Sequence, residues 1–551
     1  MFKSGVVKTG LAAVLLLSTS AAALHADDAS VQQELAQLKA QIAALKAAVR
    51  EQKSETNKTK EKIKVVADRS VPPAQPGNVN LQGAQWTAAD YARHIINPSD
   101  DGSLTWNGVT VYGNVDTGIG YESHGAPLST TLAQGVGEPI QKQNYRPLFS
   151  LVPNGLTQSY AGIKGNIPVT YGWSAVFDLE TRFLPTSGQL MNGPASLVQN
   201  NGRTVFNGAE TTNSDSGKQG QIFTYAYGGV AHPVYGTLTF GRQNSLAGDS
   251  VAIYDPTGGS YAFSLLGYSG TLNSGFGSTE NAPADESIKY RDKFGPFRVG
   301  LGYKFDNQGN GGSGAFYEGE VGFDYAGFSF DGIYGKADNA ISASSLSAKE
   351  VAGTTASNTG IGAANAENGL VDATISDNTA FTLQGKYVTG PFQFFAGYEN
   401  IHYNNPANPY GAATPFYITG NYGVYTLTQN AYTTGKILQL IWTGAKYSVR
   451  PDLDLTASYF HEIQNSYANA SGFASCGFAA AHSNCAGTED AVSLLAVYHW
   501  RKRFDIYGGV LYSVVNGGLA NGYAAASTPG GIQVSNSAGS IAPTVGAHYT
   551  F

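Results

Sequence analysis

Two groups of residues in this chain have types and spacing that could support covalent chemistry: the thiols Cys476 and Cys485, and the tetrapeptide Gly248-Asp249-Ser250-Val251. The thiols lie in one loop-like stretch, 471–487, where an oxidising compartment would close them into a local disulfide. A metal site that adds His482 lacks the spacing of a four-ligand set. Ser250 would need a positioned base and oxyanion donors to act as a nucleophile, and no Asp-x-x-His partner block accompanies it. The glycine run 309–314 lacks the Lys-Ser/Thr of a phosphate loop. The histidines are scattered without the H-E-x-x-H spacing of a zinc hydrolase, and nothing in the chain requires a cofactor. The charged residues are arranged for electrostatics instead. Lys289 and Arg291 fall on one face of a strand, opposite Ile288 and Tyr290. Asp178, Glu180 and Arg182 fall opposite Phe177, Leu179, Thr181 and Phe183.

The elements that carry these charges are strands of period two. The last residues, Val545-Gly546-Ala547-His548-Tyr549-Thr550-Phe551, put an apolar side chain on every second position and stop on an aromatic carboxyl terminus. Only 13% of residues are charged and 12% are aromatic, against about 25% charged in ordinary soluble proteins. Mean hydropathy is only −0.17, as expected when hydrophobicity is hidden by alternation. Outside the extreme N-terminus there is no apolar run of about 20 residues, which argues against membrane-spanning helices. The formal net charge of −7 argues against nucleic-acid binding.

Four segments follow from the chain's punctuation. Residues 1–26 read as a secretory signal: Lys3 and Lys8, the apolar core Leu11–Leu17, then small residues with cleavage expected after Ala26, or alternatively after Ala23. Residues 27–70 read as a coiled coil, with Leu35, Leu38, Ile42, Leu45 and Val49 on a seam that continues through Ile63 and Val66. Residues 71–108, opened by Val71-Pro72-Pro73, read as a linker. Residues 109–551 alternate strands with seven short turns and eight longer loops, for about sixteen strands. The turns are expected at 165–170, 232–236, 293–296, 324–327, 388–391, 450–452 and 501–503. The fold expected is all-β, a transmembrane antiparallel barrel preceded by a short helical coil. Charged faces repeated on strand after strand point to a water-filled lumen.

Several strands, in order, resemble those of the Gram-negative general porins. Val109-Thr110-Val111-Tyr112-Gly113-Asn114-Val115-Asp116 is similar to the family's first strand. Ala161-Gly162-Ile163-Lys164-Gly165 and Val176-Phe177-Asp178-Leu179-Glu180 are similar to its second and third. Tyr235-Gly236-Thr237-Leu238-Thr239-Phe240-Gly241-Arg242-Gln243 and Ser287-Ile288-Lys289-Tyr290-Arg291 resemble the strands on either side of its constriction loop. The resemblance implies a homotrimer of 16-stranded barrels for passive diffusion of small hydrophilic solutes and ions. It implies a third loop, about 244–285, folded into the lumen with the acids Asp249, Asp255, Glu280, Asp285 and Glu286. The basic wall facing them would be Arg242, Lys289 and Arg291, with Lys164 and Arg182 as weaker members. Tyr160 stands where many relatives have an arginine, which thins that wall. Strict alternation places Arg242 on the outer face with Leu238 and Phe240, unless Gly241 relaxes the register. Phe551 would be the signal read by the barrel assembly machinery. The other partners would be outer-membrane lipid, lipopolysaccharide and, through a periplasmic coil, peptidoglycan. A solute-selective channel of the same fold and a barrel-anchored tether or adhesin are the alternatives.

Overall fold

In a computed structural model of the chain, the described residues are 104–124, 140, 146–188, 190–192, 222–266, 275–279, 283–306, 314–345, 371–409, 417–418, 422–423, 426–429, 432–469, 485–521, 523–528, 531–535 and 537–551. The signal, the coil with its seam, and most of the linker lie outside them. Sixteen antiparallel strands close into a barrel. The first five are β1 (Val109–Glu122), β2 (Ser159–Thr170), β3 (Trp173–Phe183), β4 (Tyr225–His232) and β5 (Gly236–Gln243). A helix, α1 (Leu246–Tyr254), intervenes. Then come β6 (Ala284–Phe294), β7 (Phe297–Lys304), β8 (Phe316–Tyr325), β9 (Phe328–Ser345) and β10 (Val371–Thr389). The last six are β11 (Phe392–Asn404), β12 (Lys436–Arg450), β13 (Leu453–Gln464), β14 (Gly487–Arg501), β15 (Phe504–Gly517) and β16 (Ser537–Thr550).

Closure is made by β1 against β16, in register Asn114↔Thr550 through Gly120↔Thr544. The chain stops on this seam. Phe551 N donates to Gly113 O at 3.0 Å and Gly113 N to Phe551 O at 3.1 Å. The Phe551 ring covers Gly113 so closely that a Cβ there would lie 2.2 Å from its Cζ. Alternation sets the two faces: Leu301, Val321 and Leu494 on the outside are more than half exposed, while Asp178, Glu180, Lys289 and Glu320 on the inside are buried. Aromatic contacts mark the short-turn end, with Trp173, His232 and Tyr235 stacked, Phe328 on Tyr387 at 4.1 Å and Phe392 on Tyr447 at 4.7 Å. Such a girdle fits a membrane interface.

Six of the seven short turns fall where the sequence places them, and one is displaced. The sequence places the displaced turn at residues 165–170. They continue β2 instead, with Pro168 paired to Ser174. The chain reverses at Tyr171-Gly172, with φ of 49° and 82°, the left-handed pair that a two-residue hairpin requires. Within the expected linker, Thr105–Trp106 already pairs back onto Val109 and Thr110.

Candidate functional site

The segment between β5 and β6 does not leave the barrel as an ordinary loop. Gly241 takes φ 125° and the β5–β6 register shifts between Gly241 and Gln243. Arg242 is released from strict alternation by this bulge. Its guanidinium pairs with Asp285 and donates to Asn192 O at 2.6 Å.

α1 begins next. Ser245 caps it, accepting from Gly248 N at 2.9 Å. The Glu318 carboxylate on β8 accepts from Leu246 N at 2.6 Å and Ala247 N at 3.3 Å. An acid at a helix N-terminus satisfies open N–H groups and the dipole together. Asp249, fully buried in the first turn, meets Lys289 Nζ at 2.7 Å and Arg291 at 3.4 Å. Arg291 also meets Glu320 at 2.9 Å. The register makes that contact local, because Arg291 and Glu320 both pair with Gly300. Lys289 further donates to Asn244 O at 2.7 Å. The helix is therefore pinned to the inner wall by a compact set of opposite charges.

Beyond α1 the segment follows the wall. Trp442 Nε1 of β12 donates to Tyr254 O at 3.0 Å. Ser260 Oγ and Ala262 N donate to Gly155 O at 2.8 and 2.9 Å. Phe263 meets Tyr507 of β15 edge-on at 6.1 Å, in the space left open at Gly509. The segment then returns, and Phe276 fills the space at Gly335 while Asn378 Nδ2 donates to Phe276 O at 2.9 Å. The wall behind it is apolar. Val251, Leu265, Leu266 and Phe276 join Phe316, Ile333, Ile401, Leu440, Trp442 and Phe460 in one cluster. The inward loop covers this apolar arc, whose side chains water would otherwise meet. Within α1, Ala252 alone is not buried.

The remaining expected site residues are dispersed. Asp255 closes its own turn, accepting from Thr257 N at 3.0 Å and Gly259 N at 2.8 Å. Burial pushes its carboxyl up, opposed by these bonds and one from Ser264. Glu286 has φ 50°, and its carbonyl accepts from Phe305 N at 3.1 Å. Glu280 lies outside the described residues. Lys164 sits 4.9 Å over the Tyr112 ring, and the Tyr112 hydroxyl donates to Asp178 and Glu180. Arg182 meets Glu180 at 3.3 Å and donates to Tyr225 Oη at 2.6 Å. Glu318, Glu320, Trp442 and Ala252 were not anticipated. The alternation of Glu318 and Glu320 signals an inward acid pair, but nothing in the sequence links them to a helix some 70 residues earlier.

Cys485 is disulfide-bonded, and the chain's other cysteine, Cys476, lies outside the described residues. Protein taken from the envelope should therefore resist alkylation until reduced. Reduction should leave the barrel folded, because the bridge closes only a local loop. Free thiols in the native protein would contradict this.

A family model described as "Gram-negative porin" matches residues 83–518. The chain belongs to the Gram-negative porins. An outer membrane porin protein of Bordetella pertussis is 26% identical to this porin over 199 residues, covering 36% of this chain and 42% of the relative. The match thus spans less than half the length of that relative. Among solved structures, the trimer form of the outer membrane protein OmpT of Vibrio cholerae aligns with a TM-score of 0.47 and 15% identity, over 80% of this chain and 99% of that one. The outer membrane channel DcaP of Acinetobacter baumannii aligns with a TM-score of 0.43 and 12% identity, over 80% and 97%. The molecule is an outer-membrane porin with a closed β-barrel.

Proposed function

We propose that this porin is a passive diffusion channel for small hydrophilic solutes and ions, narrowed by the inward segment between β5 and β6. The observation that carries the reading is the course of that segment. Its contacts run from Glu318 on β8 through Trp442 on β12 to Tyr507 on β15, all on the barrel interior. A segment held against the inner wall reduces the cross-section without closing it. Asp249 serves first as an anchor, since it is in contact with Lys289 and Arg291 rather than facing them across water. The Arg182 and Arg242 guanidinium groups on β3 and β5 complete the basic wall, each with an acid partner.

The functional unit in this reading is a homotrimer in the outer membrane, with residues 27–70 forming a three-stranded periplasmic coil. Barrels side by side would bring three heptad seams together at high effective concentration. Phe551 serves assembly, and peptidoglycan contact belongs to the coil. Liposomes carrying the purified porin should swell in small sugars with no energy source, and swelling should fall as solute size rises. Liposomes that stay impermeable to small sugars and salts would sink the reading.

A further inference from the structure

A second charged group lies near the short-turn end of the barrel, apart from the inward loop. Register sets four residues in one row across the seam: His499 of β14 faces Asp505 of β15, Asp505 faces His548 of β16, and His548 faces Asp116 of β1. The side chains follow the register. His499 Nδ1 is 2.8 Å from Asp505 Oδ1, and His548 Nδ1 is 3.3 Å from Asp505 Oδ2. His499 Nε2 lies 3.5 Å from Asp454 Oδ2 on β13, and Lys446 Nζ on β12 lies 2.7 Å from the same oxygen. Alternation puts these residues on the face of buried Glu489, Ser513 and Ser540, the lumen face. The His499 side chain is 25% exposed and Lys446 22%, so the row meets water. Asp116 is different. It is buried and accepts from Leu156 N, Thr157 N and Tyr507 Oη, which ties the first loop to the wall. Arg501, Lys502 and Arg503 follow His499 around the turn to β15.

We propose that Lys446, Asp454, His499, Asp505 and His548 form a proton-controlled charge station at this mouth of the pore, setting which sign of ion passes more readily. The inference rests on the diffusion-channel reading. The charges of the inward segment are largely cancelled by contact: Asp249 with Lys289 and Arg291, Arg242 with Asp285. The mouth row is also in contact, but its balance of charge turns on two imidazoles. Lys446, Asp454 and Asp505 together carry one net negative charge. Two protonated imidazoles turn it into one net positive charge. Imidazole is the side chain that changes charge most readily near neutral pH, and a carboxylate in contact with it favours its charged form. A fixed charge at a narrow aqueous mouth with low-dielectric walls biases the local ion population.

The test is the reversal potential across a planar bilayer in a potassium chloride gradient, taken from about pH 9.5 to about pH 5. The wild-type channel should shift towards anions as pH falls. The His499→Gln/His548→Gln variant should lose most of that shift. Asp454→Asn/Asp505→Asn should prefer anions more at every pH. Single variants H499Q and H548Q, each reducing the shift, serve if the double variant does not assemble. A wild-type channel whose preference ignores pH overturns the station and leaves the channel reading intact. So does a double-histidine variant that keeps the wild-type shift. A wild-type protein that does not conduct overturns the channel reading itself.

Discussion

Asp249→Asn should enlarge single-channel conductance and move ion preference towards anions. Asp249 is fully buried and holds α1 through Lys289 at 2.7 Å and Arg291 at 3.4 Å. The amide keeps the shape but leaves the two cations with less compensation. Breaking one partner of a buried ion pair costs about 3–5 kcal/mol, enough to release a segment otherwise held by a few hydrogen bonds and apolar contacts. The barrel should remain folded, because its ladders do not involve Asp249. The variant Asp249→Leu/Lys289→Met removes both partners together and should return conductance towards wild type, since replacing a buried pair with apolar groups of similar volume is often neutral. Single-channel recordings of the three proteins separate release of the segment from simple loss of charge. Equal conductance in wild type and D249N would show that the ion cluster does not anchor the segment.

Removing Phe551 should sharply lower the amount of closed barrel in the outer membrane. The residue makes two backbone hydrogen bonds to Gly113 and lays its ring over that glycine. Both contacts lie on the seam that turns an open sheet into a barrel, and an open edge is prone to pairing with other chains. Gly113→Val should reproduce much of the defect with the terminus intact, because the added side chain occupies the seat of the ring. Heat-modifiable mobility on gels reports closure. If Phe551 deletion abolishes assembly while Gly113→Val assembles normally, the terminus acts only as a signal to the assembly machinery and not also as a clasp.

The barrel was legible in the sequence because alternation is a local property of each strand. Val299, Leu301 and Tyr303 against Arg298, Gly300, Gly302 and Lys304 give the two faces without tertiary knowledge. The displaced turn at Tyr171-Gly172 shows where local reading failed, since Pro168 looks like a breaker but is tolerated inside β2. The inward segment was legible only through family resemblance. Its position depends on partners such as Glu318, Trp442 and Tyr507, far away in the chain, and on space left by Gly335 and Gly509. The resemblance implied Asp249 facing Lys289 and Arg291, but not that they meet in direct contact. Asp255, implied as an acid of the same loop, closes a turn.

If α1 borders the open channel, a thiol at Ala252 should sense it. Ala252 is the one position of the helix that is not buried, and Cys485 is already disulfide-bonded. Single channels of Ala252→Cys should be recorded before and after a bulky, water-soluble thiol reagent. Rapid labelling of the folded protein is expected, with a stepwise fall in conductance as each subunit is modified. Complete labelling with unchanged current, or a thiol that reacts only after unfolding, would contradict this.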